Sequence, residues 1–461
     1  MDNFLLSETE KENIGKYKYT VEDNSITTIL FGKYWTQMET YFPDWIAPNV
    51  ISISGLLIII YVWNLCKNFY DSNPLFVGLF TIFGIITYVN FDSVDGIHAR
   101  KTKNSSPLGE LIDHGCDSFV TIFLVLIGCQ ILKITNLMAI WYIVGTCVLM
   151  FQYSHLQALT NSALKFDKYS GPFEIVGYYC ILLLLQLFGI PYIDKIGILL
   201  TSIAPTTFFM AIVANILYVN LKIRPKDRYT TMGCSIVYGI FIIKAYFLTE
   251  HNVTETQILS EYISLALLTI DLIISKMAKK SISHFVVLLI LMSQIDSIIT
   301  TISIIAIISQ YIKEISNYLD IPIFTTNINV YCNGVFDLCH IGHKKMFENA
   351  KSFGNKLIVG IHSDDTVKSY KRNPIMTHDE RCNVVKYCKH VNIIVPNADL
   401  YITDEFIDNN NIHIVVCSDE YYDNPNDVYY IIPRKRGILR RLKYSNEIST
   451  SDLIKRIANS K

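Results

Sequence analysis

Long apolar segments occupy the first two thirds of the chain, and short ones occupy the remainder. A helix that crosses a bilayer needs about 20 mainly apolar residues. Eight segments meet this requirement, at roughly 49–67, 75–94, 111–134, 137–157, 173–194, 197–221, 231–249 and 257–275. A further apolar segment, 284–312, is long enough for two short helices broken near residues 294–297. The pattern predicts a polytopic α-helical membrane domain of about ten transmembrane helices over residues 1–312.

Basic residues cluster behind alternate predicted helices. Arg100, Lys101 and Lys103 form one cluster, and the segments 222–228 and 276–280 contain the others. Loops rich in lysine and arginine stay on the cytosolic side of a membrane. With an even number of helices, the segment after residue 312 lies on that side as well. We therefore expect an integral membrane protein whose C-terminal segment is cytosolic.

From about Asn327 the apolar segments become short and alternate with amphipathic stretches. Four segments have the composition of strands, namely Asn329–Cys332, Lys356–Ile361, Val391–Val395 and His413–Val416. Strands that alternate with helices form a sheet covered by those helices. The sequence therefore predicts a small α/β domain at 327–461, joined to the membrane domain by a linker at 313–326.

Composition agrees with this division and argues against some functions. The 461 residues are 51% hydrophobic and 18% charged, which is too few charges for a soluble protein of this length. The net charge is −1, and aromatic residues are not interleaved with basic runs, so nucleic acid is not an expected partner. The 11 cysteines include no C-x-x-C pair, so neither a zinc site nor a disulfide framework is indicated.

Four aspartates lie at the end of one predicted helix and on the next. Asp92 and Asp95 are three residues apart, and Asp113 and Asp117 are four apart, so each pair projects from one helix face. Carboxylates near a bilayer are costly unless they are paired or liganded, and oxygen-only clusters suit Mg²⁺ or Mn²⁺. Two such ions would clamp a diphosphate and polarise a hydroxyl. We predict a metal site here, with interfacial helix-capping charges as the alternative.

Small residues around the aspartates leave space for a nucleotide. Gly96, Ala99 and Gly109 allow a ligand to approach the helix backbones, and Arg100 offers a forked donor to phosphate. The stretch 92–117 resembles the signature of the CDP-alcohol phosphotransferase family. Its surroundings, with Trp45–Asn49 and Ser170–Pro172, are similar to choline and ethanolamine phosphotransferases over roughly residues 15–312.

The resemblance implies a reaction and roles for these residues. In that family Asp92, Asp95, Asp113 and Asp117 would hold two metal ions, and Asn49 would lie in the substrate site with the small residues. Asp117 would also act as general base on the hydroxyl of diacylglycerol. The sequence departs from the family at 157–160, where an acidic-Tyr-His run is usual and Gln-Ala-Leu-Thr stands instead, with His155 nearby.

A second motif follows the first predicted strand of the α/β domain. The segment Gly334–His343 reads G-V-F-D-L-C-H-I-G-H and precedes a helix. His340 and His343 therefore lie at a helix N-terminus, where exposed amides favour a polyphosphate. They would stabilise charge on the α-phosphate and on the departing pyrophosphate of a nucleotide.

This domain resembles a Rossmann-like nucleotidyltransferase of the cytidylyltransferase family, over about 328–458. Its greatest similarity is to choline-phosphate and ethanolamine-phosphate cytidylyltransferases. The resemblance implies that Lys371 neutralises phosphate of CTP bound with Mg²⁺, and that Asp337 and Tyr422 lie near the phospho-alcohol. Tyr422 as an ordinary surface aromatic is an equal alternative. The remaining substrate-binding residues implied by the match are Gly334, Phe336, Ser449 and Thr450.

Two segments depart from the cytidylyltransferase pattern. Where R-T-x-G is usual, the chain has Tyr444–Glu447, so an arginine expected on phosphate is missing. Where Asn-Ala-Pro-Trp is usual, the chain has Asn397–Leu400. Aromatic faces hold quaternary ammonium groups, so the loss of that tryptophan weakens the case for choline over ethanolamine. The basic segment 434–443 is interpreted as a patch that faces lipid.

Together the resemblances imply a bifunctional enzyme of phospholipid synthesis in the endoplasmic reticulum or a related endomembrane, with both sites cytosolic. Its partners would be CTP, phosphocholine or phosphoethanolamine, the CDP-alcohol, diacylglycerol and membrane lipid. A homodimer is left open. One alternative is a phosphotransferase whose C-terminal domain is a degenerate nucleotide-binding module. Another is a non-enzymatic transporter, which would carry paired charges along a path through the helices.

Overall fold

Proline starts three consecutive helices that build the N-terminal part of the chain: Pro48, Pro74 and Pro107 each stand in a first turn, where the missing N–H costs nothing. Two of these helices also have a side-chain cap, because Asn73 accepts from the amide of Phe76 and Ser106 from that of Gly109. The turns between the helices are therefore specified locally.

The computed structural model describes residues 5–18, 21–23, 25–161, 164–166, 177, 180–181, 184–185, 193–247, 253–295, 297–424, 427–442 and 448–459. The chain divides into two units, Met1–Thr325 and Thr326–Lys461. The helices of the first unit are α1 Glu8–Lys16, α2 Ile26–Glu39, α3 Pro48–Phe69, α4 Pro74–Lys101, α5 Pro107–Ile131, α6 Leu137–Asn161, α7 Ile193–Tyr218, α8 Arg228–Phe247, α9 Glu255–Ala278, α10 His284–Met292 and α11 Ser297–Leu319. A π-helical turn, Val219–Ile223, extends α7, and two short strands, β1 Val21–Asp23 and β2 Leu164–Phe166, pair in parallel.

Eight described helices, α3 to α9 and α11, are long and apolar enough to cross a membrane. The predicted helix at 173–194 lies mainly outside the described residues, as does the segment 170–172. The segment 284–312 breaks between Met292 and Ser297, as predicted. However, α10 has nine residues and is about 14 Å long, too short for a bilayer core of about 30 Å. Among the described residues of this segment, helix α11 alone meets the length requirement, and two membrane passes here stay a prediction.

The predicted linker at 313–326 is helical in its first half, because α11 continues to Leu319. Buried contacts explain the extension. Ile315 is in the hydrophobic core, and the carboxylate of Glu314 accepts hydrogen bonds from the amides of Leu5 and Leu6 at 3.1 Å. The end of α11 thus belongs to the membrane unit rather than to a free connection.

Helix α9 lies at the centre of the membrane unit, and nearly all of its residues from Ile258 to Ala278 are buried. A helix that is apolar on all sides is enclosed by other helices. Aromatic rings fill the space beside it. The ring of Trp141 lies 5.0 Å from that of Phe208 and 5.7 Å from that of Tyr262 between centroids.

The second unit is a five-stranded parallel sheet with helices around it. Its strands are β3 Asn329–Gly334, β4 Lys356–Ile361, β5 Ile393–Pro396, β6 Ile414–Ser418 and β7 Leu439–Leu442, in the order β5-β4-β3-β6-β7. Its helices are α12 Ile341–Lys351, α13 Asp364–Lys368, α14 His378–Lys386, α15 Asp404–Asn409, α16 Asp419–Tyr422, α17 Ile431–Lys435 and α18 Thr450–Asn459. Strand β7 was not predicted, because its two central arginines interrupt the apolar pattern.

Strand order determines where a ligand can bind in this unit. The chain passes from β3 to β4 on one side, and later from β5 to β6 on the other side of β3. Ligands of open parallel sheets bind beyond the carboxyl ends of the strands at such a change of direction. The segment after β3, which contains His340 and His343, begins at this position.

Close packing around Gly145 of α6 gives a prediction about the membrane unit. A Cβ on Gly145 would lie 2.4 Å from the hydroxyl oxygen of Tyr262 and 2.7 Å from the ring of Phe208, whereas one on Gly239 of α8 would meet nothing within 4 Å. We expect Gly145→Ala to destabilise the unit by about 1–3 kcal/mol. Gly239→Ala should be neutral or slightly stabilising, because alanine favours a helix over glycine. Thermal unfolding in detergent compares the two, and equal midpoints would contradict this packing.

Candidate functional sites

Three of the four predicted metal ligands meet in the membrane unit. Asp92 on α4 and Asp113 and Asp117 on α5 each direct a carboxylate oxygen to one place, and these oxygens all lie within 4.8 Å of one another. All three are half-buried. We call Asp92, Asp113 and Asp117 the aspartate cluster. The spacing of three and four residues therefore brings carboxylates from two helices together, as predicted.

Asp95 is the exception. It is buried and lies outside the cluster, and it accepts a hydrogen bond of 2.5 Å from the hydroxyl of Ser52 on α3. Residues three apart on a helix differ by about 60° around its axis. Asp92 can therefore face α5 while Asp95 faces α3, so the four carboxylates do not form one group of this size.

Asp117 has further polar neighbours on its own side of the cluster. The hydroxyl of Tyr88 donates to its Oδ1 at 2.8 Å, and Nδ1 of His114 lies 3.9 Å from its Oδ2. The ring of His155 on α6 packs edge-on against His114, with 5.4 Å between centroids. His155 is buried, and within the described ranges its Nε2 has no hydrogen-bond partner. A third helix thus contributes a polar side chain close to the aspartate cluster.

The small residues near the cluster are not required by packing. A Cβ on Gly96 would lie 3.4 Å from Nη1 of Arg100, and one on Gly109 would lie 3.7 Å from Oδ1 of Asn49, which are ordinary contact distances. Close contact between helices therefore does not require glycine at either position. Asn49 is buried and donates to the carbonyl of Ile323 at 3.2 Å, whereas Arg100 is exposed.

Ala99 and Glu110 complete the surroundings of the cluster. Ala99 is half-buried, and its carbonyl accepts from the amide of Asn104 at 2.8 Å. Glu110 was not among the predicted site residues. Its Oε1 accepts hydrogen bonds from the ammonium of Lys276 at 2.5 Å and from the hydroxyl of Tyr17 at 3.3 Å, while its buried Oε2 has no partner among the residues that the structure describes. No local pattern could reveal this contact, because its partners come from α9 and from the end of α1.

The aspartate cluster fits a divalent cation. Its donors are carboxylate oxygens only, which hard cations such as Mg²⁺ and Mn²⁺ prefer. In the described part of the chain, no lysine or arginine forms an ion pair with any of the three carboxylates. Three facing carboxylates without a protein cation repel one another. A bound cation would remove this repulsion.

In the second unit, the two predicted histidines begin helix α12. His340 is the N-cap residue, its Nδ1 accepts from the amide of Gly342 at 3.1 Å, and Nδ1 of His343 accepts from the amide of His340 at 3.4 Å. Their rings stack, with 4.0 Å between centroids. Burial lowers the pKa of His340, and burial with the nearby His340 and Lys371 lowers the pKa of His343 to about 4. Both imidazoles are therefore neutral at pH 7.

Gly334 and Phe336 contribute packing contacts to the histidine motif. The side chain of Phe336 lies in the hydrophobic core, against Phe347 and against the ring of His343, and its assignment to the substrate site stays a prediction. A Cβ on Gly334 would lie 2.9 Å from the Phe336 ring. Gly334 thus makes room for Phe336, which in turn fixes His343.

Asp337 holds a neighbouring loop. Its carboxylate is buried and accepts from the amides of Ile375 and Met376 at 3.0–3.1 Å, with Nη2 of Arg372 at 3.6 Å. These contacts use both of its oxygens. Asp337 therefore anchors the segment after Pro374 at the site instead of pointing freely toward a phospho-alcohol.

Residues at the C-terminal end of the chain reach the same motif. The hydroxyl of Thr450 lies 3.3 Å from Nε2 of His340 and donates to the carbonyl of Asp337. Ser449 has a different partner: its hydroxyl donates to the carboxylate of Asp452 at 2.6 Å. The departure at Tyr444–Glu447 lies outside the described residues. Of this predicted pair, the structure brings Thr450 to the histidines.

Tyr422 is held by an arginine. The guanidinium of Arg434 lies 5.7 Å from the centroid of the Tyr422 ring and donates to the carbonyls of Tyr421 and Tyr422. Neighbouring arginines are also paired, since Arg436 bonds to Asp408 at 2.8 Å and Arg441 to Asp419 at 2.6 Å. Two of the six basic residues of the predicted lipid-facing patch at 434–443 are thus paired with carboxylates, and Lys443 lies outside the described residues.

Lys371 is exposed on the segment after α13, with its ammonium 5.5 Å from the centroid of the Tyr370 ring, and its positive charge contributes to the lowered pKa of His343. Arg381, which was not among the predicted site residues, also contributes to this end of the sheet. It is fully buried and donates to the carbonyls of Val335 and His362 at 2.7 and 2.9 Å, and to Asp364 at 2.6 Å. It ties together the loops that follow β3 and β4.

Comparisons with known proteins agree with this division of the chain. Residues 45–325 match the family model described as CDP-alcohol phosphatidyltransferase, and residues 331–456 match the one described as cytidylyltransferase-like. A solved structure, the lipopolysaccharide core biosynthesis protein from Thermoplasma volcanium, matches with 24% identity over 26% of this chain and 96% of that chain. Its TM-score is 0.21, which is too low to support any structural inference.

Relatives of the membrane unit have related descriptions. Cholinephosphotransferase 1 of Gallus gallus is 31% identical over 168 residues, which is 35% of this chain and 50% of the relative. Choline/ethanolaminephosphotransferase 1 of Saccharomyces cerevisiae is 32% identical over 191 residues, which is 40% of this chain and 48% of the relative. The chain spans about half the length of these curated relatives. The chain therefore belongs to the CDP-alcohol phosphatidyltransferase family, with a cytidylyltransferase-like domain following the family's membrane domain.

Proposed function

We propose that this chain is a bifunctional enzyme of phospholipid synthesis. Its C-terminal domain forms CDP-choline or CDP-ethanolamine and pyrophosphate from CTP and the phospho-alcohol. Its membrane domain then transfers the phospho-alcohol from the CDP-alcohol to diacylglycerol and releases CMP. The aspartate cluster carries this proposal, together with relatives that are described as choline and ethanolamine phosphotransferases.

Residues of the membrane domain would hold two Mg²⁺ or Mn²⁺ ions, with the aspartate cluster as ligands and Asp95 as an outer contributor. When bound, such ions clamp the diphosphate and lower the cost of charge that develops on it. Gly96 and Gly109 leave room for the nucleotide, and Arg100 supplies a forked donor beside Gly96. These are roles that the protein's own side chains can fill.

The transfer is a displacement at phosphorus. The hydroxyl oxygen of diacylglycerol forms a bond to the phosphorus that bears the head group, and the bond from that phosphorus to CMP breaks. Asp117 takes the hydroxyl proton, since Tyr88 and His114 hold its carboxylate in place from the other side. The products are the phospholipid and CMP.

In the C-terminal domain a phosphate oxygen of the phospho-alcohol bonds to the α-phosphorus of CTP, and pyrophosphate leaves. His340 and His343 each accept a backbone amide at Nδ1, so each neutral ring carries its proton on Nε2. His343 therefore offers an Nε2–H donor to phosphate at the N-terminus of α12, where the helix dipole also favours negative charge, while Nε2 of His340 lies 3.3 Å from the hydroxyl of Thr450. Lys371 adds a positive charge beside them, and CTP would bind with Mg²⁺.

The proposal also covers the membrane side of the two sites, the assembly and the head group. Basic clusters at 100–103, 222–228 and 276–280 support a cytosolic side that carries both active sites, in the endoplasmic reticulum or a related endomembrane. An assembly of two chains is part of the hypothesis. Head-group competition between the two phospho-alcohols, with the purified protein, assigns choline or ethanolamine.

Asp117→Asn should abolish lipid formation, with a loss of at least about 100-fold, because the base and a metal ligand are removed together. Synthesis of the CDP-alcohol from CTP should remain, since that reaction uses the other unit. Labelled phospho-alcohol and labelled CDP-alcohol, supplied separately to the purified full-length protein, measure the two reactions. Lipid synthesis near the wild-type rate would exclude this assignment of Asp117.

His343→Ala should give the reverse result: CDP-alcohol formation falls about 100-fold or more, while lipid still forms from supplied CDP-alcohol. His413→Ala is the matched control, because His413 accepts the amide of Asn329 at the opposite edge of the sheet. If CTP-dependent synthesis survives in His343→Ala, the nucleotide site lies elsewhere. If the wild-type protein forms no CDP-alcohol, the C-terminal domain is a degenerate nucleotide-binding module.

A further inference from the structure

His362 is a buried histidine at the carboxyl end of β4 that the proposed reactions do not use. It is 4% exposed. Its amide donates to the carbonyl of Gly334 at 3.1 Å, and its own carbonyl accepts from Arg381 at 2.9 Å. The backbone of His362 is therefore held by the end of β3 through its amide and by Arg381 through its carbonyl.

The ring of His362 contacts the segment that carries Lys371. Its Nδ1 lies 2.9 Å from the hydroxyl of Tyr370, and the ammonium of Lys371 lies 5.5 Å from the centroid of the Tyr370 ring. The order of contacts therefore runs from the sheet through His362 and Tyr370 to Lys371. The first step is a backbone hydrogen bond, and the two later steps are contacts between side chains.

We propose that His362 is a positioning residue for Lys371. Through its hydrogen bond to Tyr370, His362 holds the aromatic ring over which the lysine ammonium lies. The positive charge of Lys371 is thereby placed near His343 for the phosphates of CTP. This inference rests on the proposed nucleotide site of the C-terminal domain. A lysine has a long flexible side chain and loses considerable entropy when it is held in one place. A fixed aromatic face reduces that cost at the moment of binding, because the ring attracts the cation beforehand.

The charge state of His362 is compatible with this role. Burial, with the positive charges of Lys371 and Arg381, lowers the pKa of His362 to about 4, so the ring is neutral at pH 7 and does not repel Lys371. Burial also raises the pKa of Tyr370 to about 12, with Tyr421 and Tyr429 as further causes, so its hydroxyl stays protonated. A neutral imidazole and a phenol form a hydrogen bond that persists across the physiological pH range.

The two nitrogens of the ring can be tested separately. Asparagine places a polar atom near the position of Nδ1, and glutamine places one near that of Nε2, which has no partner in the described part of the chain. His362→Asn therefore keeps the contact to Tyr370, whereas His362→Gln removes it. Tyr370→Phe removes the same hydrogen bond from the other side and keeps the aromatic face.

We expect His362→Gln and Tyr370→Phe each to weaken CTP binding by about three- to tenfold, the range that one hydrogen bond supports. His362→Asn should bind CTP as the wild type does, and the double variant Gln/Phe should be no weaker than either single one, because both changes break the same contact. The Kd of CTP is measured with the full-length protein in lipid nanodiscs. Lipid formation from supplied CDP-alcohol serves as the control for intact folding and should not change.

Several results would overturn the inference. If His362→Asn binds CTP as poorly as His362→Gln, the ring acts through Nε2 and not through Tyr370. If Tyr370→Phe binds as well as the wild type, the hydrogen bond does not position Lys371. A wild-type protein that binds CTP but forms no CDP-alcohol contradicts the proposed synthesis alone, because binding still tests the contact. A wild-type protein that does not bind CTP contradicts both.

Discussion

A buried charge in an apolar surrounding must be compensated by an opposite charge or by hydrogen bonds. The group that compensates each acidic residue of the membrane unit therefore indicates the role of that residue. Glu261 is buried, and it is compensated by the ammonium of Lys244 and the indole N–H of Trp141. Glu110 has Lys276. The aspartate cluster has no such cation among the described residues, and its three carboxylates face one another. A bound cation would compensate these charges, and this is the physical basis for proposing the cluster as a site for metal and diphosphate.

The same constraint bears on the transporter alternative. A transport path needs charges that exchange their partners along the length of a bundle. The buried acids outside the cluster instead have fixed donors on neighbouring helices, as Asp271 does with the amide of Ser283 and the hydroxyl of Tyr311. Glu314 likewise holds two backbone amides at the start of the chain. These contacts stabilise the packing of the helices, whereas in the described part of the membrane unit the three carboxylates of the aspartate cluster face one another.

Local spacing in the sequence predicted what depends on one helix or strand, and it failed where a distant segment decides. The positions of Asp92, Asp113 and Asp117 follow from helical periodicity, whereas the turn of Asp95 toward Ser52 depends on a third helix. Apolar runs predicted four strands but not β7, which pairs with β6 despite two arginines. The helical half of the linker also depends on partners far along the chain, namely the amides of Leu5 and Leu6, so residue type alone could not indicate it.

The two units would handle the same phosphate groups by opposite electrostatic means. The membrane unit offers carboxylates, so a cation has to stand between the protein and the diphosphate. The C-terminal unit offers the Nε2–H donor of His343, a helix N-terminus and Lys371, which meet phosphate directly. In the proposed reactions, bound cations would let the membrane unit hold the diphosphate while it is intact, whereas in the C-terminal unit the neutral histidines leave Lys371 as the positive charge that has to be positioned for the phosphates.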